Sequence, residues 1–176
     1  VGKLIERKRP KLLLNAFVEA TECGEATLLF VGDGELRSVI KQEANEYDRR
    51  DDVIFAGFVN QTELPRYYAL ADVFVLPSVR ENWGLVVNEA MNFGLPIATT
   101  KAVGCSDDLV TPDNGCVFTT DDVGSFTSII EDLLADDQNH KEMGEQSLKI
   151  ISNWGVEKTA DGVIAAAQYA VTPHTV

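Results

Sequence analysis

Glu81 and Glu89 stand with seven residues between them, Asn82-Trp83-Gly84-Leu85-Val86-Val87-Asn88. A carboxylate accepts hydrogen bonds from two neighbouring hydroxyls, so each glutamate suits a sugar diol. Gly84 lets a ligand approach the backbone, and the apolar residues behind it start a helix. The first turn of a helix has unpaired N–H groups and a partial positive charge, so the amides of Gly84, Leu85 and Val86 suit a diphosphate. The layout reads as a nucleotide-sugar pocket: phosphates against the helix start, Glu81 toward hydroxyls of the sugar, Glu89 toward those of the ribose.

These groups must be carried by a scaffold, and the chain alternates short β-rich runs with helical periods. That alternation predicts an α/β fold, a Rossmann-like parallel sheet with helices on both faces. A truncated strand at Val1 is expected to lead into a helix over about 10–21, then a strand over 27–31 and a helix to about 47. A strand at 53–55 and a helix over about 62–70 follow. Next come a strand over 72–76, the helix over 84–92, a strand over 96–100 and a short strand over 115–118. From Ser125 the pattern is helical, with breaks near Asp136 and Trp154.

Ligands of such sheets bind beyond the carboxyl ends of the strands. The rule gathers Lys3 and Lys8 after the first strand, Gly32 and Gly34 after the second, and Gly57, Phe58 and Val59 after the third. The segment from Ser78 to Glu89 follows the fourth. Trp83 reads equally as a pocket wall or a core anchor, Tyr67 and Tyr68 as packing residues, and Arg80 has no assigned role.

At 176 residues the chain is one ordinary domain, with 45% hydrophobic and 24% charged residues. A chain of this size buries roughly 70% of its unfolded surface. No apolar run approaches the roughly 20 residues of a membrane span, and no signal peptide is visible. The net charge of −13 argues against a nucleic-acid partner, which would need a broad basic surface. Within residues 1–11, however, Lys3, Arg7, Lys8, Arg9 and Lys11 face only Glu6, a patch that fits a small anion. The acidic pairs Asp51-Asp52, Asp107-Asp108, Asp121-Asp122 and Asp136-Asp137 read as solvated turns and helix starts, and no metal site is expected. Cys23, Cys105 and Cys116 fall at no metal or redox spacing and read as reduced thiols of a cytosolic protein. His140 and His174 read as surface residues.

Taken together, Val1-Gly2-Lys3-Leu4 with Lys8-Arg9, the run from Leu28 to Gly34, the run from Val53 to Val59, the run from Tyr68 to Ser78 and the run from Glu81 to Gly94 carry a resemblance. They are similar to the donor-binding half of retaining GT-B glycosyltransferases, glycosyltransferase family four. The resemblance covers residues 1 to about 155. Its most specific element is the Glu81–Glu89 pair, set after Pro77-Ser78 and before Ala90-Met91.

The resemblance implies a role for each matching position. Glu81 would hold the transferred sugar and Glu89 the ribose, while amides around Gly84, Leu85 and Val86 would meet the diphosphate. Lys8 matches a phosphate-binding lysine. Lys3 stands where an arginine is more usual, and a lysine lacks the bidentate fork of arginine. The base would lie along Gly57, Phe58 and Val59. Asn82-Trp83 replaces a commoner Gly-Phe, which would alter the wall near the sugar. The implied reaction transfers a hexose from a UDP- or GDP-sugar to a glycan or glycolipid, with retention at the anomeric carbon and no metal or other cofactor.

The resemblance also implies an N-terminal acceptor domain outside residues 1–176, with the last helices, from about 156, packing back on it. The single domain alone is expected to bind donor weakly and transfer nothing. The parent is expected in the cytoplasm, or peripherally at the cytosolic face of a membrane. Two other readings share the fold: an epimerase or phosphorylase relative, and a non-catalytic nucleotide-binding or scaffold domain.

Overall fold

A computed structural model describes residues 1–22, 24–119, 123–135 and 137–171, with the side chains of Val123 and Asp137 left out. The expectations for Cys23, Asp121, Asp122, Asp136 and His174 lie outside the described residues.

Five short strands form from the apolar runs: β1 (Leu28–Val31), β2 (Val53–Gly57), β3 (Phe74–Leu76), β4 (Ile97–Thr100) and β5 (Gly115–Phe118). All described pairings between these strands are parallel, but they make two sheets, β1-β2 and β3-β4-β5. Residues 1–4 make no strand; they run beside β1, with Gly2 N donating to Val31 O at 2.8 Å and Leu4 N to Asp33 O at 3.0 Å. A small cavity lined by Val1, Gly2, Phe30, Val31, Val75 and Leu76 marks the seam between the sheets.

Helices cover both faces. On one side α1 (Pro10–Ala20), α2 (Arg37–Glu46) and α6 (Val123–Leu134) pack. Leu14, Phe17, Ile40 and Phe126 meet Phe30 of one sheet and Ala98 and Phe118 of the other, so a single apolar cluster ties the sheets together. On the opposite side lie α3 (Leu64–Ala69), α4 (Leu85–Asn92), the short α5 (Ser106–Leu109) and α7 (Asp137–Ile151). Their cluster holds Tyr68, Leu76, Val87, Met91, Ile97, Cys105, Leu109 and Ile151. Strand β4 is buried throughout, as a strand covered on both faces must be.

The last helix, α8 (Val156–Val171), buries none of its residues. Two expectations for surface groups change. Asp52 is buried, bonded to Arg49 at 2.9 Å and to the amide of Gly24 at 3.0 Å, because burial of the Arg49 guanidinium demands a counter-charge. His140 is half-buried and meets the carbonyl of Leu133.

Candidate functional site

Of the candidate residues, Glu81, Gly84, Leu85, Val86 and Glu89 lie where β3 gives way to α4, and Lys8 reaches Glu81. Pro77 and Ser78 are buried at the end of β3. The chain then runs through 79–84 alongside the segment after β4. Glu81 N donates to Ala102 O at 3.1 Å, Gly104 N to Glu81 O at 3.0 Å, and Cys105 N to Trp83 O at 2.9 Å. Three backbone bonds thus fix the loop that carries Glu81. The contact is close: a Cβ on Gly104 would come to 2.0 Å from Asn82 O.

Gly84 takes the left-handed conformation, φ 99°, as the residue capping α4, and a Cβ there would meet Val103 Cγ1 at 2.7 Å. Only glycine meets both demands without strain. No side chain caps α4, so the amides of its first turn, Leu85 and Val86, stay open. Leu85 is exposed and Val86 half-buried.

Beside this helix start the basic patch of the chain start arrives. A 3-10 turn over Glu6–Lys8 ends at Arg9 in the left-handed region, φ 48°, from which α1 departs. The turn delivers Lys8 to Glu81: Lys8 Nζ contacts Glu81 Oε2, with the two side chains only 14% and 19% exposed. Arg7 joins them. Its Nη1 lies 3.2 Å from Glu81 Oε2 and donates to Arg80 O at 3.1 Å, while its own carbonyl accepts from Val79 N at 2.9 Å. Lys3 is exposed and has no ion-pair partner among the described residues. The cations gathered on Glu81 are therefore Lys8 and Arg7. Sequence reasoning placed Arg7 in the basic patch but gave it no role, because a contact across 74 positions leaves no local signal.

Glu89 lies one turn into α4, half-buried. Its Oε2 accepts from the hydroxyl of Tyr68 at 2.7 Å. Burial first, then that bond to Glu89, pushes the Tyr68 phenol far above its usual range, so it stays a donor. Trp83 turns from the helix start toward α7. Its ring packs on Trp154, centroids 5.5 Å apart, and its Nε1 donates to Asn88 Oδ1 at 2.9 Å.

The remaining candidates sit at the carboxyl ends of β1 and β2. Gly32 N donates to Gly57 O at 2.8 Å, and a Cβ on Gly32 would come to 1.9 Å from Gly2 O, so this glycine allows two backbones to meet. Phe58 is 83% exposed and Val59 half-buried. Among the described residues no three His, Cys, Asp or Glu side chains are grouped to hold a metal.

Parallel strands between two helical layers, with charged groups gathered beyond the strand ends, make an α/β domain of GT-B type, and the solved structures that superpose on it include glycosyltransferases. One is Anabaena HepE in complex with UDP and glucose, at TM-score 0.81 and 23% identity, covering 97% of this chain and 48% of that one. Another is the C-terminal domain of a glycosyl transferase group 1 protein, LpcC of Francisella tularensis, at TM-score 0.80 and 19% identity, covering 87% of this chain and 82% of that one. The chain belongs to the glycosyl transferases group 1 family, whose model matches residues 1–150. Among curated relatives, the sulfoquinovosyl transferase SQD2 of Arabidopsis thaliana is 33% identical over 150 residues, which are 82% of this chain and 28% of that protein. This chain spans less than half the length of the curated relatives it matches.

Proposed function

We propose that this chain is the donor-binding half of a retaining glycosyltransferase of family four, which transfers a hexose from a nucleoside diphosphate to a glycan or glycolipid. The observation that carries the reading is the meeting of Lys8 and Arg7 with Glu81 beside the uncapped start of α4, with Glu89 on the next turn. A diphosphate would take the amides of Leu85 and Val86 and share Lys8 with Glu81. Glu81 would accept from sugar hydroxyls, Glu89 from the ribose, and the base would lie along Gly57, Phe58 and Val59.

In the reaction the bond from the anomeric carbon to the β-phosphate oxygen breaks, and its electron pair stays on the diphosphate. The acceptor oxygen bonds to the same face of the carbon and passes its proton to the departing β-phosphate oxygen. Charge thus grows on the leaving diphosphate, where Lys8, Arg7 and the helix start are fixed in advance to meet it. These groups supply the counter-charge, so the reading includes no metal ion.

The acceptor side belongs to a further domain of the parent, and α8 is the element that would pack on it. Val156, Val163 and Ile164 are 82%, 65% and 55% exposed on that helix, a large apolar area for a free surface. Among the described residues no helix is long and apolar enough to cross a membrane. We place the parent in the cytoplasm, at the cytosolic face of a membrane where the acceptor is a glycolipid.

The test is a thermal-shift panel of UDP, GDP, ADP and their sugars. A ligand bound only by the folded state at 100 times its Kd adds about 2.7 kcal/mol of stability. One nucleotide family should raise the melting temperature by several degrees, and Lys8→Ala should abolish the rise. No shift at millimolar ligand would favour a scaffold domain instead.

A further inference from the structure

Tyr68 is 2% exposed on α3, yet it spends its hydroxyl on Glu89, 21 positions away. A tyrosine needed only for packing would serve as phenylalanine, since a buried hydroxyl adds a desolvation cost and no apolar contact. The ring is held on two sides: it stacks on Phe93 with centroids 5.5 Å apart and an interplanar angle of 19°, and it meets Phe74 at 6.0 Å. Its hydroxyl is thus a fixed point. Glu89 is a long, half-buried side chain that would otherwise give up considerable rotamer freedom when it bound a ligand.

We propose that Tyr68 is a positioning residue, whose hydroxyl anchors Oε2 of Glu89 so that Oε1 is presented in one orientation to a ribose hydroxyl of the bound nucleotide. The inference rests on the nucleotide-sugar reading above. Anchoring one oxygen settles the carboxylate plane before the ligand arrives, so less ordering remains to be done at binding. It also makes ribose recognition depend on a residue that never touches the ligand.

A double-mutant cycle on the 176-residue chain tests this by titration calorimetry with UDP and GDP, and with inorganic pyrophosphate as a ribose-free probe. Tyr68→Phe keeps the ring and its stack on Phe93. It should weaken the better-bound nucleotide by up to about tenfold, the order expected when one rotamer-rich side chain has to be ordered at binding. In a Glu89→Ala background the same substitution should change nothing, and in either background pyrophosphate affinity should be unaltered. Equal losses with and without Glu89, a matching loss for pyrophosphate, or no loss at all would each overturn the proposal. If neither nucleotide binds the unaltered chain, the nucleotide-sugar reading fails and this inference goes with it. That result differs from a nucleotide that binds and ignores Tyr68.

Discussion

The Lys8–Glu81 pair is made of two side chains mostly removed from solvent, so salt screens it less than it screens a surface pair. On the proposed reading a donor would have to share both partners, which otherwise neutralise each other. Close by, Cys105 is wholly buried under Gly84, and burial pushes its thiol from 9.0 up to about 11. The folded protein therefore holds a proton that the unfolded chain releases. The associated stability is full below pH 9 and is lost as the pH climbs toward about 11. Urea unfolding midpoints should fall across that window, and Cys105→Ala should fall less steeply; equal slopes would refute the assignment. Burial also raises Tyr68, which adds to the decline at higher pH.

Much of this residue-level picture could be read from letters. The glutamates and the helix start were legible because a strand end, a glycine and an apolar helical run occur together between Pro77 and Gly94, and Lys8 because it stands in the basic run of residues 1–11. The partners of those glutamates were not. Arg7 reaches Glu81 across 74 positions and Tyr68 reaches Glu89 across 21, and periodicity says nothing about contacts between elements. The aromatic character of Tyr68 suggested packing, which is true of its ring and silent about its hydroxyl.

At the scale of elements, the segment after β4 acts as the template for the Glu81 loop, and its close approach requires that Gly104 carry no side chain. Gly104→Ala would force a methyl group against the carbonyl of Asn82. Relief means separating the two segments and loosening the bonds of Glu81 to Ala102 and Gly104. Overpacking of this kind costs about 1–3 kcal/mol. Chemical unfolding should show that loss, and nucleotide affinity should drop with it; a variant as stable and as avid as the parent would show that the template is dispensable. Here the sequence was less informative. Strands and long helices followed from apolar runs and helical periods, but α5 is a single turn and too short to generate a period.

For the whole molecule, two sheets are joined by one apolar cluster, while α8 adds nothing to either core. Removal of residues 156–176 should leave the urea midpoint of the remainder unchanged, since no described residue of that helix is buried. A clear drop in the midpoint would mean that α8 stabilises the core. The divided sheet was beyond sequence reading as well. A run such as Leu28–Val31 announces a strand but not that residues 1–4 lie against it.

The chain has two tryptophans, and both sit in one corner, Trp83 against Trp154. Tryptophan emission from this protein, excited apart from tyrosine, is consequently a local signal. It reports the half built on β3, β4, α4 and α7, and leaves β1, β2, α1 and α2 dark, so denaturation followed by that light alone describes one lobe. Amide circular dichroism sees both lobes, and a mismatch between the two curves would reveal halves that come apart in sequence instead of together.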